Sequence, residues 1–301
     1  MRLFALLLIF PMSGLCDIDF SSLIYDYSYI PDLLKYQARD KSMLDYRSYP
    51  SASRNMIILL HGSGYHSRYF YKLAKRLSEE NIAQVVTPDL RGHGINPAKR
   101  GDVDYIGQLD DDLDDLLQFC KKTYQSEKII IAGHSSGGGL ALRLAGNKHR
   151  AQADAYLLLA PYFAHDAPTI NPQSNWAEPH LFTIILANIL NGLGFNWLNH
   201  ATTISFNIPE QYRDGSETLS YTHALISSYS PIDYRSDLAN ISKSTLLLVG
   251  ENDEVMQARG FKEVLPDNKN IKLEILSKII HMSIVTEDAA INAMANWLKF
   301  L

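Results

Sequence analysis

The chain has 301 residues, 46% hydrophobic and 20% charged, with 28 Lys and Arg against 33 Asp and Glu for a formal net charge of −5. That length suffices for one large α/β domain or two small ones, and the apolar and aromatic content excludes intrinsic disorder. The acidic balance, with no basic block, speaks against a partner recognised through nucleic-acid phosphates, and two cysteines, Cys16 and Cys120, allow neither a disulfide scaffold nor a Cys-rich zinc site.

The N-terminus opens Met1-Arg2, continues with an apolar run over residues 3–10 and ends on small residues before Asp17. A positive start, a short apolar core and small residues describe a secretory signal peptide over residues 1–16. The expectation is an exported protein, whether periplasmic, envelope-bound or secreted. The run is too short to span a bilayer, which takes roughly 20 apolar residues. Lipidation at Cys16 is disfavoured by the bulk of Leu15, and the rival reading is a hydrophobic start that packs on the domain.

Downstream, short apolar runs alternate with helix-period stretches, which predicts a mostly parallel sheet covered by helices. The predicted strands are 34–39, 44–49, 56–60, 84–88, 128–132, 155–160, 246–249 and 272–276. The first two flank the polar turn Asp40-Lys41-Ser42 and read as an antiparallel hairpin. Leu109, Leu113, Leu116, Leu117, Cys120 and Tyr124 recur at helical spacing. Asp110, Asp111, Asp112, Asp114 and Asp115 open that helix, where carboxylates suit the positive dipole end, and are expected to be solvated. From 162 to 233 no strand pattern appears, and a structureless loop of that length is unlikely in a compact domain. The segment is therefore read as a helical cap inserted into a core made of 17–161 and 234–301. Its residues 181–190 are apolar on nearly every side, suited either to an acyl chain or to packing on the domain.

The strongest chemical signal is Gly133-His134-Ser135-Ser136-Gly137, with a buried strand before it and a helical pattern after it. In that context Gly-x-Ser-x-Gly marks a serine on a sharp, strained turn, whose flanking positions have no room for side chains. A serine hydroxyl needs a base, and the base a carboxylate to orient it. Asp253 follows the strand 246–249 and His281 follows the strand 272–276, giving the order Ser135, Asp253, His281. Glu251 and Glu254 flank Asp253 and rank as solvated or supporting carboxylates. The oxyanion of acyl transfer needs donors. The candidates are the backbone N–H groups of Ser136 and of Ser63, the latter in the turn His61-Gly62-Ser63-Gly64. His61 and the turn Asp89-Leu90-Arg91-Gly92-His93-Gly94 are read as structural. There is no His-Glu-x-x-His pairing, and no metal is expected.

These motifs resemble the α/β-hydrolase superfamily, and within it the monoacylglycerol lipase/lysophospholipase-like branch often catalogued with serine aminopeptidases. The resemblance covers roughly residues 34–301. It implies an α/β-hydrolase fold with an eight-stranded, mostly parallel sheet, a cap over the pocket, and cofactor-free acyl chemistry by Ser135, Asp253 and His281. Trp176 and Trp197 in the cap are candidate substrate-binding residues. The expected substrate is a carboxylic ester, of monoacylglycerol or lysophospholipid type, with transient membrane-surface contact through the cap and no nucleic-acid partner. Two alternatives stand beside it. One is an aminopeptidase or amidase using Glu178, Glu210, Asp214 or Glu217 to hold a free amino terminus; the other is a hydrolase-fold binding protein without catalysis.

Overall fold

A computed structural model describes residues 18–24, 26–147 and 153–301. The segment 1–16 read as an export signal lies outside the described residues.

In chain order the core begins with β1 (Leu34–Gln37), β2 (Met43–Tyr49), β3 (Asn55–Leu60), α1 (Tyr71–Glu79) and β4 (Gln84–Pro88). It continues with α2 (Gln108–Thr123), β5 (Lys128–His134), α3 (Ser136–Gly146) and β6 (Ala155–Leu159). The inserted region holds β7 (Ala177–Pro179), α4 (Leu181–Gly192), β8 (Thr202–Phe206), β9 (Ser220–Thr222) and α5 (His223–Tyr229). The chain closes with α6 (Tyr234–Asn240), β10 (Ser244–Gly250), α7 (Ala258–Val264), β11 (Ile271–Leu276) and α8 (Asp288–Leu298).

Eight strands form one sheet in the order β1-β2-β4-β3-β5-β6-β10-β11. β2 pairs antiparallel with both β1 and β4, and the remaining neighbours pair in parallel. Continuous apolar runs such as Met56–Leu60 and Ile129–Ala132 fit a sheet buried on both faces. The chain runs from β3 out to β4 and back to β5 on the other side of β3, so the order reverses there. Ligands in such sheets bind in the crevice beyond the strands' carboxyl ends at a reversal of this kind. The loops after β3, β5, β10 and β11 all open at that end.

Two expectations change. The inserted region is not purely helical, because β7, β8 and β9 form a second, antiparallel sheet. Two of these strands are only three residues long, too short for a periodic signal. The acidic start of α2 is also not simply solvated. Asp110 pairs with Arg143 at 2.6 Å, Asp112 with Arg91 at 2.7 Å, and Asp111 and Asp115 with Arg39 at 2.9 and 3.0 Å. Asp110 and Asp112 are buried, so the cluster bolts α2 to three other segments by ion pairs.

Candidate active site

Ser135 sits between β5 and α3 at φ 54°, ψ −121°, a strained conformation for a residue with a side chain. The surrounding glycines explain how the turn closes. A Cβ on Gly133 would lie 2.1 Å from the Gly137 carbonyl oxygen, and one on Gly137 would lie 2.2 Å from that of Leu60. The turn is fixed by backbone bonds from Ser135 N–H to the Leu159 carbonyl and from Tyr162 N–H to the Ser135 carbonyl, both 2.9 Å. It presents the serine hydroxyl at the start of a helix whose positive end favours negative charge.

Residues 146 positions apart meet at this hydroxyl. His281 Nε2 lies 3.1 Å from Ser135 Oγ, and His281 Nδ1 lies 2.9 and 3.0 Å from the two Asp253 carboxylate oxygens. An Nδ1–H donating to the carboxylate leaves Nε2 free to accept the serine proton. Asp253 Oδ1 also accepts the N–H groups of Val255 and Met256 at 2.9 and 2.7 Å, which fixes the carboxylate in the β10 turn. Glu254 supports the same unit: its Oε2 accepts the His281 backbone N–H at 2.7 Å. Glu251 instead accepts from the Ser277 hydroxyl at 2.8 Å at the surface. Burial pushes the His281 pKa down, but the charge and hydrogen bond of Asp253 and the charge of Glu254 outweigh it, so the net direction is upward.

The loop after β3 lies against the elbow. Ser63 Oγ and Ser136 Oγ are 2.7 Å apart, which joins the two residues whose N–H groups were expected to serve an oxyanion. On either side of Ser63, a tyrosine hydroxyl takes the backbone N–H: Gly62 N–H donates to Tyr69 and Gly64 N–H to Tyr221, each at 2.9 Å. Neither tyrosine was singled out in the sequence. Each leans on a buried histidine. Tyr69 O–H donates to His134 Nδ1 at 3.0 Å, and His134 Nε2–H donates to the His281 carbonyl at 3.1 Å. Only a donor can face that carbonyl, so the tautomer is settled by the network. Tyr221 O–H donates to His93 Nε2 at 2.6 Å, while His93 Nδ1–H points at the carbonyls of Leu90 and Arg91. Burial first, then the neighbouring imidazole, drives both histidines well below the ordinary imidazole value, so both stay neutral. Among the described residues the Ser63 N–H between these anchors has no partner.

The residues expected to be structural behave so. His61 Nε2 accepts the Leu90 N–H at 3.0 Å, and burial brings its pKa down to about 4. Asp89 accepts the Ser67 N–H at 2.8 Å. At φ +91°, Gly94 passes so close to Asp89 that a Cβ would come within 2.5 Å of its carboxylate. The Asp-x-x-Gly-His-Gly turn thus braces the loop through His93.

The two tryptophans part company. Trp176 lines the cavity at Ser135 together with Ile18, Phe20, Ser63, Tyr65 and His281. Trp197 does not reach it: 72% exposed, it stacks beside Phe195 at 4.7 Å on the outside of the inserted region. Residues 181–190 do not line this cavity; they lie against β8 of the inserted region, burying Ala187 and half-burying Ile184 and Leu190. They form α4, of which only Ala187 is buried, while Phe182 is 80% exposed and Leu181 and Ile185 also face solvent. Of the carboxylates considered for an amino terminus, Glu178 and Glu210 are exposed and Asp214 pairs with Arg68. Glu217 is buried, accepting the N–H groups of Asp214 and Gly215. None of the four lines the cavity at Ser135.

Comparison with known proteins adds four findings. The family model for serine aminopeptidase S33 (Hydrolase_4) matches residues 51–288. A monoglyceride lipase homolog of Monkeypox virus is 24% identical over 75% of this chain and 80% of its own length. Methylesterase 18 of Arabidopsis thaliana is 34% identical, but the match spans only 29% of this chain and about a third, 32%, of that relative. Among solved structures, a soluble variant of monoglyceride lipase from Saccharomyces cerevisiae, in complex with a substrate analog, superposes with a TM-score of 0.70. It is 18% identical, with 92% of this chain and 97% of that one covered, a likeness of fold.

Proposed function

The chain belongs to the serine aminopeptidase S33 family, an enzyme family of the α/β-hydrolase superfamily, and on that premise we propose that it is a serine hydrolase cleaving carboxylic esters, with monoacylglycerol- or lysophospholipid-type lipids as the substrate class. The observation that carries the reading is the unbroken series Ser135 Oγ, His281 ring, Asp253 carboxylate at 3.1 and 2.9 Å, on a strained strand-to-helix turn. In this reading His281 takes the hydroxyl proton as Ser135 attacks the acyl carbonyl, and Asp253 stabilises the imidazolium that forms. The Ser63 and Ser136 N–H groups hold the oxyanion, one at a helix N-terminus and one held between two tyrosine anchors. His281 returns the proton to the leaving alcohol, and water, activated by the same ring, then releases the acid from the acyl-enzyme.

An apolar wall of Trp176, Tyr65 and Met282 beside Ser135 supports an acyl substituent over a charged amino terminus. The exposed apolar side of α4 supports transient contact with a lipid surface, and the N-terminal sequence supports export. The deciding experiment is a panel of a monoacylglycerol, a short-chain nitrophenyl ester and an aminoacyl arylamide on wild type and Ser135→Ala. Ester turnover that falls by about 10³-fold or more in the variant is expected. Amide cleavage without ester turnover would overturn the ester assignment. Equal turnover by both proteins would overturn Ser135.

A further inference from the structure

Ser135 is 7% exposed and His281 2%, and the cavity beside them measures about 10 Å³. That is space for about one water molecule, and no ester with an acyl chain enters it. The filling is the chain's own N-terminal segment. Phe20, 1% exposed, sets its ring 5.7, 5.9 and 5.5 Å from those of Tyr65, Trp176 and Tyr212. Ile18, also buried, lines the same cavity, and Asp19 between them faces out, so two apolar side chains of one short segment turn inward over the opening.

The hold of this segment is mostly apolar. Within 18–24 the backbone bonds from Leu23 to Phe20 and from Ile24 to Ser21 are local turns. Among the described residues, the bond that ties 18–24 to the body is from Asp19 N–H to Glu254 Oε1 at 2.9 Å, on the carboxylate that also holds His281. Further along, Leu23, Ile24 and Tyr27 line one side of a neighbouring open cleft of about 230 Å³, with Tyr65, Tyr69, Tyr212, Arg68 and Asp214 also in its lining. Tyr65 and Tyr69 wall both spaces. One segment therefore covers the reactive serine and borders the open cleft next to it.

We propose that residues 18–20 are an intramolecular occupant of the acyl site: Ile18 and Phe20 hold the place an acyl chain takes during turnover, and substrate enters by displacing them. The inference rests on the ester-hydrolase reading above. An acyl chain replaces the contacts of Ile18 and Phe20 in kind, whereas a short acetyl group does not. Lifting the segment joins the two cavities past Tyr65 and Tyr69 into a groove leading to Ser135.

The test uses the full chain with two variants. Phe20→Ala removes the occupying ring. Asp19→Pro removes the N–H that binds Glu254 and leaves the apolar side chains intact. One readout is the rate at which a decyl fluorophosphonate labels Ser135. The other, in a Ser135→Ala background, is binding of decanoic acid, which needs no chemistry. A segment closed nine-tenths of the time weakens apparent affinity about tenfold, so both variants are expected to label faster and bind tighter by up to about that factor. Decanoic acid bound no tighter by a variant that melts as cooperatively as wild type would make Phe20 a fixed wall and overturn the proposal; Asp19→Pro decides alone if Phe20→Ala fails to fold. Tighter binding with no labelling of any protein would leave the occupant standing and remove only Ser135 as nucleophile.

Discussion

Tyr69 and Tyr221 reach the same three-residue loop from opposite sides, one from the turn before α1 and one from β9 in the inserted region. Each hydroxyl accepts a loop N–H and donates its own O–H in a hydrogen bond to a neutral imidazole, so the Ser63 N–H is aimed by its neighbours. Because displacement of a reacting group by about 1 Å costs as much as 10²-fold, Tyr69→Phe and Tyr221→Phe should each lower kcat by about tenfold with little change in KM. Steady-state kinetics on a soluble ester checks this, and a change in KM alone would argue that the tyrosines shape binding instead. The proposed base, His281, gives a second expectation at this scale. His281 must be neutral to accept a proton, and its pKa is lifted above 6.5, so kcat/KM should fall as pH drops through a midpoint above that value. Glu254 contributes to the lift, so Glu254→Gln should move the midpoint of the acid limb to lower pH. A profile flat to pH 4, or a midpoint that rises in the variant, would speak against the ring as base. Ser135, Asp253 and His281 were legible in the sequence because each follows a strand in a fixed order. Tyr69, Tyr221, His134 and Phe20 were not, because their roles exist only once distant segments meet.

Among the elements, the inner strands β3, β5, β6 and β10 were legible because they are buried on both faces and read as unbroken apolar runs, while the half-exposed β1 and β2 were legible from the polar turn between them. The antiparallel sheet of β7, β8 and β9 was not, since strands of three to five residues carry little periodicity. In β8 the β-branched run Thr202-Thr203-Ile204 was the one available signal. The helix α4 was visible as an apolar stretch, but which surface it meets was not. It presents Leu181, Phe182, Ile185 and Ile189 to solvent, a patch of the kind that marks an interaction site. Burying each large apolar side chain is worth about 1.5–3 kcal/mol, so Phe182→Ser with Ile185→Ser should weaken association with phosphatidylcholine vesicles by at least about tenfold. Turnover of a soluble short-chain ester should be unchanged, since neither residue lines the cavity at Ser135. Equal sedimentation of variant and wild type with vesicles would remove α4 as a contact.

Across the whole molecule, the core closes around α3, whose every residue from Ser136 to Gly146 is buried. Such a helix cannot tolerate bulk where neighbours press on it: a Cβ on Gly146 would lie 2.7 Å from Asp237 Oδ1. The crowding has an electrostatic cost on the other partner. Asp237 Oδ2 is buried with no hydrogen-bond partner among the described residues, and burial raises the carboxyl pKa to about 7, the charge of Arg143 only partly offsetting it. The sign follows from proton linkage. The folded state holds a proton that the unfolded chain has released, so folding stability is fully retained below the ordinary carboxyl pKa and declines as pH rises from about 4 towards 7. Asp237→Asn keeps the shape and removes the charge. Water reaches part of this side chain and screens it, which brings the expected gain to about 1–2 kcal/mol at pH 8, with little or none at pH 4. Urea unfolding at the two pH values measures it. A variant no more stable than wild type at pH 8, or stabilised equally at both, would mean that Asp237 is not held protonated against α3 and that the pH dependence of the fold arises elsewhere.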